Sequence, residues 1–150
     1  MLTIKAFFSK NEMNEFISTD ELVDFLHTHL DNFGDPKSAI KNCVEYAFSK
    51  SEGMGGSVLV GYYEGKIVGA VIMNKTGMEG YIPQNILVYV AVDASLRGKG
   101  LGRKMIEKAL EISDGDVKLH VEHDNPAKRL YERIGFTNKY AEMRFSKEAK

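Results

Sequence analysis

Apolar positions along this 150-residue chain switch between a period of two and a period of three to four. Residues 3–8 read as a first strand. Over residues 21–30, Leu22, Leu26 and Leu30 recur on one face, with Val23 and Phe25 beside them, which predicts a helix. A second helical stripe is Ile40, Cys43, Val44, Ala47 and Phe48, with Asp35 read as its cap and Pro36 as its first residue. Gly53-Met54-Gly55-Gly56 breaks the chain. Residues 57–63 and 66–74 are β-rich and joined at Glu64-Gly65, a two-residue hairpin signal. A polar loop around residues 75–80 and Tyr81-Ile82-Pro83 lead into an apolar strand over 85–92. Leu101, Met105, Ala109 and Leu110 mark a helix over 101–112, and 117–121 a short strand. Ala127, Leu130, Tyr131 and Ile134 stripe a last helix that Gly135 ends. Residues 136–140 and 142–146 read as a closing β-hairpin. The order β-α-α-β-β-β-α-β-α-β-β predicts one α/β (α+β) domain over residues 1–150.

Between the strand at 85–92 and the helix at 101–112 lies Arg97-Gly98-Lys99-Gly100-Leu101-Gly102. Glycines let backbone amides turn toward an anion with no Cβ in the way. The helix N-terminus adds unsatisfied N–H groups and about half a positive charge. Arg97, Lys99 and Arg103 add whole charges. A phosphate-bearing ligand is the expected occupant. The run is not a P-loop, because Lys99 is followed by Gly100 rather than Ser or Thr. Its G-x-G-x-G spacing also departs from the dinucleotide fingerprint, which disfavours a nucleotide-dependent oxidoreductase.

The run fits the pattern Arg/Gln-x-x-Gly-x-Gly/Ala, with Arg97, Gly100 and Gly102 in its three defined slots. A second segment runs from Leu119 to Phe136. Asn125, Ala127, Leu130, Tyr131, Gly135 and Phe136 fall there at the offsets of a strand, an Asn, an Ala, Leu-Tyr and Gly-Phe. Together the two segments span residues 86–136, and the chain resembles the GNAT acetyltransferases.

Composition is compatible with that resemblance. The formal net charge of −1 argues against a general nucleic-acid binder, and no apolar run reaches membrane-spanning length. The N-terminus does not read as a signal peptide, and Cys43, the single cysteine, reads as a small core residue, so a cytoplasmic protein is expected. Charge is uneven. Residues 1–96 carry 7 Lys/Arg against 12 Asp/Glu, while residues 97–150 carry 13 against 9, placing the phosphate-binding run in the basic part. Residues 11–36 hold seven carboxylates and no Lys or Arg. That stretch is either a solvated helix surface or an acceptor side that favours a cationic amine.

The resemblance implies a mixed six- to seven-stranded sheet with four helices, splayed between its fourth and fifth strands. It implies that acetyl-CoA threads its pantetheine arm into the splay as an extra strand, against the backbone of Val90, Ala91 and Val92. The amides of Arg97, Gly98, Lys99, Gly100, Leu101 and Gly102, with the charge of Arg103, would meet the pyrophosphate. Asn125 would meet the pantetheine or shape the site. An outward backbone N–H near Val90 would serve the oxyanion.

Tyr131 fills the slot of the phenol that protonates the leaving thiolate, although it also lies on an apolar stripe as a core tyrosine would. The fourth-strand slot for a basic carboxylate is Val88, beside Tyr89, so no carboxylate sits in that strand. His120, in the fifth strand, is the alternative base, since an imidazole titrates near neutral pH; a surface histidine is the plainer reading. Glu122 shares the face of His120; His123 and Glu79 are weaker candidates, and a water chain or an amine already neutral in solution is a further alternative. Lys128 and Arg129 read as surface charge or as contacts to a CoA phosphate, and Tyr81 and Pro83 as acceptor-side or loop residues. His27 and His29 do not share a helix face, and no metal is expected.

Two readings stay open. One is an N-acetyltransferase acting on a small-molecule or peptide primary amine, in a family where homodimers are frequent. The other is an acetyl-CoA-binding sensor or interaction module without turnover.

Overall fold

A computed structural model describes residues 1–147. Five strands form one sheet in chain order: β1 (Leu2–Phe7), β2 (Gly56–Tyr63), β3 (Lys66–Lys75), β4 (Asn85–Val92) and β5 (Val117–Leu119). The first four pair antiparallel and β5 joins β4 in parallel. Glu64 and Gly65 both take positive φ (52° and 77°), the conformation that a tight β2–β3 hairpin requires.

Five helices cover the two faces: α1 (Lys10–Asn14), α2 (Thr19–Leu30), α3 (Lys37–Ala47), α4 (Leu101–Ile112) and α5 (Ala127–Ile134). The short α1, capped by Ser9, adds one to the four expected. Ser18 and Glu21 form a reciprocal capping box that starts α2 two residues ahead of its periodic stripe. On one face, α2 and α3 bury Leu22, Leu26, Ile40 and Val44 against Val58, Val60, Ala70 and Ile72. On the other, α4 and α5 bury Met105, Ile106, Ala109 and Tyr131 against Leu59, Val71 and Leu87. Gly61 and Gly69 stand opposite each other on β2 and β3, making a dip in the sheet. Met105 fills it: a Cβ on Gly61 would come within 2.7 Å of the Met105 Sδ.

Three expectations are corrected. The sheet has five strands among the described residues, and β5 stops at Leu119 instead of residue 121. The closing hairpin over 136–146 is not formed. Gly135 and Phe136 both donate to the Tyr131 carbonyl, at 3.2 and 3.0 Å, which ties the start of that segment to α5. Beyond it, Tyr140, Met143 and Phe145 are exposed, and the Tyr140-Ala141 junction has no residue that favours a tight turn. Finally, Asp35 does not cap α3. Pro36 occupies the cap position, its carbonyl accepting from Ala39 and Ile40, and the Asp35 side chain is engaged elsewhere.

Candidate active site

The splay is visible in the pairing. β3 runs along the whole of β4, whereas β5 pairs only with Asn85, Ile86 and Leu87. From Val88 onward the outer edge of β4 has no strand beside it among the described residues. The Asn85 amide donates to the Asp116 carbonyl at 3.1 Å, and its side chain donates to the carbonyls of Asp114 and Asp116, holding the α4–β5 turn where the two strands meet.

The register of β4 against β3 shifts at Val88, which stands as an extra residue. Downstream, the Asp93 amide donates to the Val68 carbonyl at 2.8 Å, and Val92 lies opposite Gly69. Alternation along an antiparallel ladder then directs the backbone groups of Tyr89 and Ala91 toward β3. Those of Val90 and Val92 face the open edge, where an extended ligand finds strand-like donors and acceptors.

Beyond β4 the chain passes through a 3₁₀ turn, Ala94–Leu96, to the glycine run. Gly98 and Gly100 hold φ at +83° and +79°, the left-handed region that a side chain makes costly. Gly100 caps α4, whose N-terminus follows without any side-chain cap. The free amides and helix dipole leave this turn suited to an anion. Its cations are already placed. The Arg97 guanidinium donates to the His29 carbonyl at 2.6 Å, at the end of α2, and Arg103 pairs with Glu107 at 3.2 Å. Lys99 is exposed.

Tyr131 lies in the apolar cluster that also holds Leu87 and Val90 of β4 and Leu119 of β5, so it stands on the α4/α5 side of the splay. Its ring meets Phe136 edge-on at 5.8 Å. Burial pushes its phenol up to about 12, so it keeps its proton across the neutral range. Asn125 Oδ1 accepts from the Ala127 amide at 2.9 Å, tying the loop to the start of the helix that carries Tyr131, while Pro126 holds the cap position. A surface pocket of about 450 Å³ adjoins it, with Lys128 and Arg129 on its wall. His120 falls one residue past β5 and is exposed; Leu119 and Val121 on either side pack toward α4 and α5, which leaves His120 on the opposite face.

A family model described as an acetyltransferase (GNAT) domain matches residues 54–138, more than half of the chain. The chain belongs to the GNAT acetyltransferases. None of the curated proteins matches it by sequence. Solved structures extend the likeness in fold over the whole GNAT chain. An aminoglycoside acetyltransferase from an uncultured soil metagenomic sample superposes with a TM-score of 0.69 at 17% identity, covering 99% of each chain. The aminoglycoside N-acetyltransferase AAC(6')-Iy, in complex with CoA, gives 0.68 at 13%, covering 98% of this chain and 95% of the other. A ribosomal-protein-alanine N-acetyltransferase from Brucella melitensis gives 0.62 at 18%, covering 97% and 99%. Among the described residues, no helix of this GNAT protein is long and apolar enough to cross a membrane.

Two connections in the GNAT site escaped the sequence reading. The His29 Nδ1 accepts from the Ala94 amide at 3.1 Å, so α2 and the segment leading into the glycine turn are joined twice, through His29 and through Arg97. The Tyr89 hydroxyl donates to Asp35 Oδ2 at 2.5 Å, linking β4 to the α2–α3 loop. Both pairs are more than fifty residues apart in sequence, and no local pattern announces either.

Proposed function

We propose that this chain moves an acetyl group from acetyl-CoA to a primary amine by direct attack in a ternary complex. The observation that carries the reading is the open edge of β4, with the backbone of Val90 and Val92 turned outward, ending in a glycine turn at a bare helix N-terminus. A strand-like pantetheine arm with a pyrophosphate at one end has the shape and charge for that combination. The CoA complex of a neighbour with the same fold supports the donor, and neighbours that act on aminoglycosides and on a ribosomal-protein alanine support an amine acceptor.

In this reading the Val90 N–H stabilises the developing oxyanion. Tyr131 protonates the departing thiolate; its burial keeps the phenol neutral and therefore ready to donate. His120, exposed on the α2/α3 side at the end of β5, receives the amine proton and passes it to solvent. Holding donor and acceptor in one cleft supplies much of the rate, since effective molarities reach about 10⁵ M or more.

The test is thiol release from acetyl-CoA over a panel of polyamines, aminoglycosides, amino acids and N-terminal peptides. Tyr131→Phe is expected to lower acceptor-dependent release about 10²-fold or more, the scale of general acid catalysis. Acetyl-CoA binding with no release for any acceptor would favour the sensor module instead.

A further inference from the structure

We infer that the Asp35 carboxylate, anchored by the Tyr89 hydroxyl, binds a second ammonium of the acceptor, so that diamines and longer polyamines are the favoured substrates. This deepens the acetyltransferase reading and rests on it.

Tyr89 precedes Val90, whose backbone faces the open edge of β4. Its own side chain leaves by the opposite face, into the layer of α2 and α3. The ring is 7% exposed, and its hydroxyl ends 2.5 Å from Asp35 Oδ2. Burial and the Asp35 contact hold that phenol protonated well beyond the ordinary tyrosine range. It therefore orients the carboxylate without neutralising it. A carboxylate can accept about four hydrogen bonds, and an ammonium offers three.

Asp35 itself is exposed and unused by α3, which Pro36 caps. No cation of the described residues pairs with it. Lys37, two residues on, is paired with Asp24 at 2.9 Å. Arg97, which reaches the same end of α2, is committed to the His29 carbonyl. On the same face of the sheet, the Asn74 Oδ1 is buried and has no partner among the described residues, its amide nitrogen pointing to Cys43 Sγ at 3.3 Å. This side of the sheet carries the Asn74 and Asp35 acceptors beneath a chain segment with no Lys or Arg from residue 11 to 36, and in the same layer the Tyr62 hydroxyl is buried without a partner among the described residues.

Asp35 lies about one tyrosine side chain away from the β4 backbone. An ammonium bound there is not the amine that reacts at Val90. The two amino groups of the acceptor are separated by a comparable alkyl span.

The test titrates putrescine, spermidine and n-butylamine calorimetrically into wild type, Asp35→Asn, Asp35→Glu and Tyr89→Phe, with thiol-release kinetics alongside. Wild type is expected to bind the diamine and spermidine more tightly than butylamine. Asp35→Asn should weaken their binding about tenfold or more, the usual loss for a charged hydrogen-bond partner, and raise KM more than it lowers kcat. Asp35→Glu should recover part of the affinity. Tyr89→Phe, a positioning change, should raise KM by less than Asp35→Asn. Because Asp35 is exposed, its variants report even if Tyr89→Phe folds poorly. Equal diamine affinity in wild type and Asp35→Asn, or no diamine preference in wild type, overturns the proposal. Asp35-dependent diamine binding with no thiol release for any amine would keep this site and reject acetyl transfer. Thiol release indifferent to Asp35 would do the reverse.

Discussion

The two helical layers on either face of the sheet do different work. The α4/α5 layer carries the glycine turn, the helix N-terminus and Tyr131, and its chain segment is basic. The α2/α3 layer has the larger sealed core, an acidic chain segment and no family motif. Donor recognition asks for a fixed backbone geometry shared by every user of one cofactor-like substrate. Acceptor recognition asks only for a surface of the right charge. The first leaves a pattern in sequence and the second leaves composition.

The largest effects should come from truncating the core of each layer. Leu26→Ala and Met105→Ala remove fully buried side chains, and each is expected to cost about 2–5 kcal/mol in denaturant unfolding. Only Met105→Ala should also raise KM for acetyl-CoA, because Met105 seats α4 in the dip at Gly61 and Gly69. An equal rise with Leu26→Ala would erase the division between the layers.

Alkaline titration separates them next. Burial raises the Cys43 thiol from 9.0 to about 12 in one layer and the Tyr131 phenol from 10.0 to about 12 in the other. Each group is neutral when folded and ionises more readily when unfolded. Its stabilisation is full below the unfolded value and is lost as pH climbs toward the folded one. Stability should begin to fall near pH 9 through Cys43, with Tyr131 joining near pH 10. Tyr131→Phe should remove about 2–3 kcal/mol of the loss between pH 10 and 12, with the onset near pH 9 retained. Thermal melts over that pH range measure both.

The smallest effect is at Asn125. Asn125→Ala removes the hydrogen bond from the Ala127 amide at the start of α5 and should cost about 1 kcal/mol. If kcat falls while KM for acetyl-CoA holds, the residue acts through the placement of Tyr131 and not through direct contact with the donor.

Much of the frame was legible from residues alone. The bounds of β4, α4 and α5 match their hydrophobic patterns, because each has either a strong stripe or a glycine at its end. What failed had physical causes. The 136–146 segment contains β-prone residues but no turn to fold them back. The five-residue α1 is too short to show a period. Asp35 before a proline resembles a helix cap, and only the fold shows its carboxylate drawn to a tyrosine 54 residues away. The glycine turn into a helix N-terminus was readable, yet the engagement of Arg97 with α2 was not, since it depends on where a distant helix ends.

The extra residue at Val88 works as a frameshift in the strand. Before it, Leu87 points to the α4/α5 layer; after it, Val90 does, and Tyr89 is sent the other way. The same slip turns the Val90 amide from the ladder to the outside. One inserted amino acid therefore sets the phase on both sides at once: which backbone amides lie on the open edge, and which side chain reaches the α2–α3 loop. A strand of the same composition, read in unbroken alternation, would present neither.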